Sequence, residues 1–397
     1  MIENKGFGLS GKTINDIKKI NRALVLKTLF FSGPKSRKFL ADALELTPAA
    51  ITNITAGLIE EGVLVKAEKV SRSGGAGRKE QLLDLNYRGI VFLSIDIQKD
   101  NFTLITSLLN GKSLSRSSQK FETDMNAQNC LVKILYKLSK KLNSEIKIHS
   151  IGISVAENFL SSKEEKESFL GALKAELINL FNIGIYFEKH TFAMFYADRL
   201  FKRSCFEENN LFLIADKVFS GVYIPSASGK LFNCEKEINF GNLTVYNRDK
   251  ENSDRGLMPL NRCASFSYLL QNLKKVYSED ACPFLYASSK GDFKQINLNL
   301  LFEAYSKKDK GPAQIMDSIA FSLAQGVSAC VNLLEPDNVF IYSHYFKSKD
   351  FLKKFKSEIR LSKKRVVPAF SLNSDYNKQA SYAATALAIL GFLENGA

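Results

Sequence analysis

The chain has 397 residues, 45% of them hydrophobic and 24% charged, a balance that predicts folded domains and excludes a largely disordered protein. Its formal net charge of +14 favours a polyanionic partner such as nucleic acid, although a general excess of lysine would give the same value. The six cysteines form no CxxC pair and the N-terminus lacks the apolar core of a signal peptide, so we expect a cytoplasmic protein.

Residues 1–88 predict a winged helix-turn-helix domain. The pattern opens with a helix over residues 14–31. Four of its apolar residues fall near one face: Ile17, Ile20, Leu24 and Phe31. Residues 1–90 carry 15 Lys and Arg against 9 Asp and Glu, so basic charge is denser here than in the rest of the chain.

Two further helices complete the helix-turn-helix pattern. Ser36 is a suitable N-cap for a short helix that runs to Leu44. Thr47 then offers a capping hydroxyl, and Pro48 takes the first helical position, where its missing N–H has no consequence. The last helix ends at Gly62, and two strands joined by a basic, glycine-rich loop follow up to residue 85.

The last of these helices predicts a DNA-reading surface. Ile51, Ile54 and Leu58 repeat at helical spacing and are expected to pack inward, which leaves small, uncharged residues facing outward. Such a face can approach base edges closely, and an asparagine can pair with adenine through two hydrogen bonds, so Asn53 is the candidate base reader. The other expected DNA contacts are Lys35, Ser36, Arg37, Lys38, Thr47, Ala49, Ala50, Thr52, Arg72, Gly74, Gly75, Gly77, Arg78 and Lys79.

Two other interpretations of this region are weaker. A helical protein-interaction module would share the helices, but the caps, the spacing, the glycine loop and the charges together favour DNA. The loop GGAGRKE superficially resembles a phosphate-binding loop. It lacks the Walker spacing, has Glu80 where Ser or Thr is required, and precedes a strand.

From residue 89 the pattern predicts an α/β domain of two related lobes. The first lobe covers about 89–195 with the C-terminal helix, and the second about 196–376. The predicted strands are 91–97, 102–109, 146–156, 183–188, 211–216, 220–226, 242–246 and 339–344; the predicted helices are 127–142, 164–181, 313–334, 348–360 and 377–394. The apolar stretch Tyr382–Leu393 is shorter than the roughly 20 residues that a membrane-spanning helix needs.

Over nearly its whole length the chain resembles the transcriptional regulators of the ROK family, which also contains sugar kinases. The segment GPKSRKFLADALELTPAAITNITAGLIEEGVLV is similar to the family's N-terminal pattern, and SRSGGAGRKEQLLDLN is similar to its wing. The resemblance implies a two-lobed, actin-like ATPase (ribonuclease H-like) fold for residues 89–397. It also implies a homodimer or homotetramer and a role as a repressor of sugar or carbohydrate-related genes.

The family's kinase motifs are incomplete in this sequence. The first phosphate loop has lost its glycines but keeps Asp96, and the catalytic Asn-Asp pair aligns with Lys189-His190. His190, a lone histidine with no carboxylate to orient it, is expected to be structural. Phosphoryl transfer depends almost wholly on positioned phosphate and metal contacts, so we expect no enzymatic activity.

The family's sugar and zinc motifs are incomplete as well. Asn239 and Asn242 stand in the sugar-contacting Glu-x-Gly-His motif, and Ser265 replaces a further sugar-contacting glutamate. Cys263 alone remains of the zinc element, whereas a structural zinc site needs four ligands. We therefore expect no zinc, no other cofactor, and no binding of an ordinary hexose.

The sequence thus predicts a sequence-specific DNA-binding repressor with a catalytically inactive, sugar-kinase-like effector domain. A two-fold dimer would place its reading helices on an inverted-repeat operator in double-stranded DNA, and the alanines and Asn53 favour A·T-rich half-sites. Two alternatives remain open. One is an active ROK-type sugar kinase with a fused DNA-binding domain; the other is a regulator that answers a non-sugar ligand, a protein partner, or no ligand at all.

Overall fold

The computed structural model describes residues 14–70, 80–122, 126–141, 147–156, 159–160, 162–202, 208–216, 219–226, 236–247, 256–361, 367–374 and 382–396. The chain forms two compact units. Unit 1 comprises Met1–Ser204 and Ala380–Ala397, and unit 2 comprises Cys205–Gln379.

Unit 1 begins with three helices and a three-stranded sheet of order β1-β3-β2. Their bounds are α1 Ile14–Ser32, β1 Lys35–Ser36, α2 Arg37–Leu44, α3 Pro48–Glu60, β2 Leu64–Val70 and β3 Glu80–Leu85. The predicted helix starts are confirmed: the Ser36 hydroxyl accepts a hydrogen bond from the Phe39 N–H, and the Thr47 hydroxyl accepts one from Ala50, each at 3.2 Å. Strand β1 has no sequence signal, because only its pairing with the distant β3 makes it a strand.

The buried face of helix α1 is not the face on which Ile17, Ile20 and Leu24 align. These three residues are 40%, 41% and 37% exposed, whereas Leu26 and Leu29 are fully buried. The inner face packs on β3 and on the C-terminal helix, Ala383–Asn395. Elements far away in the sequence therefore decide which side of α1 is buried.

The rest of unit 1 is an α/β sandwich around a five-stranded sheet of order β6-β5-β4-β7-β8. Its strands are β4 Val91–Ile97, β5 Asn101–Leu108, β6 Ser113–Lys120, β7 Ile148–Val155 and β8 Gly184–Lys189. Strands β4, β7 and β8 are parallel, whereas β5 and β6 pair antiparallel with their neighbours. The carboxyl ends of the three parallel strands consequently meet at one edge of the sheet.

Helices cover both faces of this sheet. Helices α4, Ala127–Lys141, and α5, Lys163–Phe181, bury Ile134 and Leu173 in an apolar core with strands β4 and β7. The C-terminal helix packs on β4, β7 and β8, and α6, His190–Lys202, packs beside it. Gly152 permits this close contact, since a Cβ there would lie 2.1 Å from the carbonyl oxygen of Ala384.

Unit 2 repeats the strand order of unit 1 in its own five-stranded sheet, β11-β10-β9-β14-β15. Its strands are β9 Asn210–Ala215, β10 Phe219–Ile224, β11 Lys236–Ile238, β14 Asn338–Tyr342 and β15 Ala369–Asn373. Strands β9, β14 and β15 are parallel. The predicted strand at 242–246 lies outside this sheet: as β12, Thr244–Tyr246, it pairs with β13, Leu257–Pro259, in a separate two-stranded sheet.

The described residues of unit 2 also form six α-helices. They are α7 Leu260–Cys263, α8 Phe266–Val276, α9 Pro283–Ser288, α10 Leu298–Ser306, α11 Lys310–Leu334 and α12 Lys349–Glu358. Within the described ranges, α11 is the one helix long and apolar enough, by length and composition, to cross a membrane. However, 61% of its apolar window is buried in the protein, which is typical of a helix in an apolar core.

Candidate functional sites

The outward side of α3 carries the small, uncharged residues predicted to read bases. Ile51 and Leu58 are fully buried, while Thr52 and Asn53 are exposed. The Thr52 hydroxyl donates to the Pro48 carbonyl oxygen at 2.8 Å, which turns that hydroxyl towards its own helix. Asn53 therefore presents the exposed side-chain amide that a bidentate base contact needs.

The predicted phosphate-binding residues beside α3 differ in what they contact. Arg37 donates from Nε to the Thr55 hydroxyl at 2.8 Å and so links α2 to α3. The Lys35 ammonium lies 5.0 Å from the centre of the Phe39 ring, and Lys38 is exposed. Six predicted contacts lie outside the described residues: Arg72, Gly74, Gly75, Gly77, Arg78 and Lys79.

At the strand edge of unit 1, the largely buried Asp96 pairs with the buried His190. The Asp96 carboxylate accepts hydrogen bonds from His190 Nδ1 at 2.9 Å, Ser154 Oγ at 2.5 Å and Gln98 Nε2 at 3.1 Å. The expectation that His190 has no carboxylate to orient it is therefore wrong. The reason lies in the topology, because β4, β7 and β8 end at the same edge and bring Asp96, Ser154 and His190 together.

This arrangement keeps the carboxylate ionised. Burial acts to raise the pKa of Asp96, but the hydrogen bond and the charge of His190, with the bonds from Ser154 and Gln98, outweigh it and hold the pKa below its usual value. The ammonium of the neighbouring Lys189 lies 5.2 Å from the centre of the Phe192 ring. The carboxylate at this strand end is thus occupied by the protein's own donors.

Unit 2 contains a second aspartate–histidine pair that the sequence did not reveal. Asp216 follows β9, His344 follows β14, and the two form an ion pair at the carboxyl ends of these parallel strands. Burial, and then the nearby Asp216, raise the pKa of the Tyr345 phenol beside them. Two of the three histidines of the chain, His190 and His344, thus pair with aspartates at strand ends.

Two of the three degenerate sugar-motif positions in unit 2 make local hydrogen bonds. The Ser265 hydroxyl accepts a hydrogen bond from the Tyr268 N–H at 3.2 Å and caps α8. Asn242 accepts one from Asn261 Nδ2 at 3.4 Å. Asn239 precedes a single turn of 3₁₀-helix and makes no capping bond with its side chain.

The described cysteines do not gather into a metal site. Cys263, the remnant of the zinc element, is buried, and burial raises the pKa of its thiol to about 11. Its Sγ lies 3.6 Å from the Leu260 carbonyl oxygen. Among the described residues, no group of three or more His, Cys, Asp or Glu is placed to hold a metal ion.

A cavity of about 500 Å³ lies in unit 2 between β12, α11 and the end of α12. Its lining is mixed: Leu243, Thr244, Val245, Phe321, Gln325, Ser328, Ala329, Glu358 and Arg360. Gln325 shapes one wall, since its amide donates to the Tyr246 carbonyl oxygen at 2.8 Å and accepts from the Tyr246 N–H at 3.3 Å. A lining with both charges and apolar groups suits a small polar molecule.

The chain is similar in sequence to curated xylose repressors. The xylose repressor of Caldicellulosiruptor bescii is 23% identical over 343 residues, which is 82% of this chain and 83% of that protein. The xylose repressor of Staphylococcus xylosus is 26% identical over 172 residues, which is 41% of this chain and 45% of that protein, so this second match spans less than half of the relative's length. No protein-family model matches the chain.

A solved structure shares the fold over nearly the whole chain. It is a ROK family transcriptional regulator, a homologue of the E. coli MLC protein, with a TM-score of 0.74 and 19% identity over 96% of this chain and 97% of that one. The chain therefore has the α/β fold of this ROK family regulator.

The ROK fold extends to the family's enzymes. A ROK family glucokinase from Streptomyces griseus, solved with glucose and AMPPNP, has a TM-score of 0.54 and 14% identity. That match covers 99% of the glucokinase and 75% of this chain.

Proposed function

We propose that this chain is a ROK family regulator, a DNA-binding repressor of sugar-related genes, and that residues 1–88 form a winged helix-turn-helix domain. The observation that carries the proposal is the exposed, uncharged side of α3 with Asn53 at its centre. Helix α2 is linked to α3 through Arg37 and Thr55, and the hairpin of β2 and β3 follows directly. The names of the two xylose repressors support the same role.

Residues 89–397 are then an effector and oligomerisation domain without kinase activity. Its two lobes divide after α6 and not at 195/196, because α6 packs beside the C-terminal helix in unit 1. The occupied carboxylate of Asp96 supports this view, because His190, Ser154 and Gln98 already satisfy it. A cytoplasmic homodimer would present two copies of α3 to an inverted-repeat, A·T-rich operator. The cavity beside β12 is the candidate effector site.

A ROK-type sugar kinase is the second candidate function, favoured by the fold shared with the glucokinase. A coupled ATP-turnover assay on a panel of sugars separates the two. Turnover above that of a preparation without the protein would contradict the inactive effector domain.

Pull-down of genomic DNA fragments with the purified protein tests the repressor. We expect enrichment of fragments that share an inverted repeat near sugar-related genes, and a change in that enrichment when a pool of sugars and other metabolites is added. Uniform recovery of all fragments would reject sequence-specific binding. Sites that are G·C-rich and asymmetric would reject the predicted operator.

Asn53→Ala should reduce discrimination at one base pair of the operator by about 1–3 kcal/mol, because it removes a bidentate base contact. Lys38→Ala is the matched control, since Lys38 is also exposed and faces phosphate in this proposal. The control variant should weaken binding to every DNA sequence. It should also reduce the slope of log affinity against log salt concentration by about the value of one phosphate contact. Affinities for the operator and for single-base variants at two salt concentrations measure both. Equal losses on operator and random DNA for Asn53→Ala would remove it from the base-reading role.

A further inference from the structure

Arg22 of α1 connects two parts of unit 1 that are far apart in sequence. Its guanidinium makes two contacts with the Glu61 carboxylate, one of them from Nη1 to Oε1 at 2.9 Å. Glu61 is the residue that caps the carboxyl end of α3. From Nε, Arg22 also donates to the carbonyl oxygen of Gly396, the residue that ends the C-terminal helix, at 2.7 Å.

The end of the C-terminal helix lies directly against α1. Lys27 donates to Glu394 at 2.7 Å, and both side chains are largely buried. Gly396 has a φ of +77°, and a Cβ at that position would lie 2.7 Å from the Lys19 carbonyl oxygen and 2.9 Å from Arg22 Cβ. No larger residue fits between these two helices, so the contact leaves little room for relative movement.

The C-terminal helix is also held firmly on the sheet that ends at the Asp96 pair. Ser150 of β7 donates to the Ala388 carbonyl oxygen at 2.7 Å, and Asn395 donates to the Tyr186 hydroxyl at 2.8 Å. On its other side the helix packs along α6, whose first residue is His190. A continuous set of packed elements therefore runs from the strand-end pair to α1.

We propose that Arg22 is a positioning residue that fixes the orientation of the reading helix α3 relative to the C-terminal helix. The proposal rests on the proposed DNA-binding function. A change in the lobe that shifts the C-terminal helix would move Arg22, and with it the end of α3. DNA affinity would then depend on the state of that lobe.

An ordinary surface ion pair contributes little to stability and would not set an orientation. The Arg22 side chain is only 12% exposed and makes three bonds to two different elements, so more than one contact is lost when it is shortened. The Arg22 hydrogen bond is the main cause that lowers the pKa of Glu61, against the opposing effect of partial burial. The carboxylate is thus charged whenever the protein is near neutral pH.

The test compares Arg22→Met, Glu61→Ala and the double variant with Lys133→Met, which breaks the ion pair of Lys133 with Glu122 elsewhere in unit 1. Hydrogen exchange of the α3 amides and affinity for the enriched DNA fragments are measured on the full chain. We expect faster α3 exchange and about tenfold weaker DNA binding in both single variants, no further loss in the double variant, and no change in the control.

The proposal is overturned if the α3 amides of Glu61→Ala and Arg22→Met exchange at the wild-type rate. It is also overturned if the losses of DNA affinity in the two single variants add up in the double variant. Glu61→Ala keeps the test valid if Arg22→Met does not fold, since Glu61 is partly exposed. A wild-type protein that enriches no DNA would reject the repressor, but the exchange measurement would still test whether Arg22 positions α3. The two failures are therefore distinguishable.

Discussion

Replacing His190 by alanine should lower the free energy of unfolding by about 3–5 kcal/mol, because the variant leaves a buried carboxylate without its charged partner. In the folded protein, Asp96 accepts hydrogen bonds from His190, Ser154 and Gln98, and the His190 side chain is almost completely buried. The two remaining neutral donors cannot replace the imidazole at 2.9 Å. Urea unfolding at neutral pH, followed by circular dichroism, measures the loss.

The double variant Asp96→Asn/His190→Ala is the control, since it removes the uncompensated charge together with its partner. We expect it to recover a large part of the stability that His190→Ala loses. A His190→Ala variant as stable as the wild type would show that the two side chains do not form an ion pair.

The same pair has a defined dependence on pH. Because the folded-state pKa of Asp96 is lowered, the stability it contributes is complete above the unfolded pKa of about 3.9 and is lost as the pH falls through the folded value. The difference in stability between wild type and Asp96→Asn should therefore shrink below about pH 4. A constant difference down to the acid transition would contradict the lowered pKa.

Gly152→Val should destabilise the protein by about 3 kcal/mol, the upper part of the range for overpacking. A Cβ on residue 152 would lie 2.1 Å from the Ala384 carbonyl oxygen and 2.5 Å from the Ala388 nitrogen. These are backbone atoms of the C-terminal helix, so no side-chain rotation relieves the clash and the helix itself must move. Thermal unfolding followed by circular dichroism reports the loss.

Gly171→Ala is the matched control for this substitution. Gly171 lies inside helix α5, where an added Cβ would meet nothing within 4 Å. Alanine there should raise stability by up to about 1 kcal/mol through its higher helix propensity. A Gly152→Val protein that unfolds at the wild-type temperature would mean that the C-terminal helix does not contact β7 as closely as described.

Local signals were sufficient for most of the elements. The hydroxyl of Thr47 followed by Pro48 predicts the start of α3, and the helical spacing of Ile51, Ile54 and Leu58 predicts its buried side. Such signals act over three or four residues, so they can be read without knowledge of the fold. Strand β4 has the bounds that the sequence predicts, 91–97, because five of its seven residues are β-branched or other apolar residues.

The contacts that the sequence missed all join distant segments. His190 meets Asp96 across 94 residues, and Arg22 meets Gly396 across 374. Nothing near either residue in the sequence marks its partner, because the partner is chosen by which parallel strands end side by side and by where the C-terminal helix lies. The sequence by itself therefore determined the caps and the exposed residues of α3. Tertiary packing decided the charge state of the aspartates at the strand ends, the buried side of α1 and the anchoring of α3. The reason is that only the folded chain brings such distant groups within hydrogen-bonding distance.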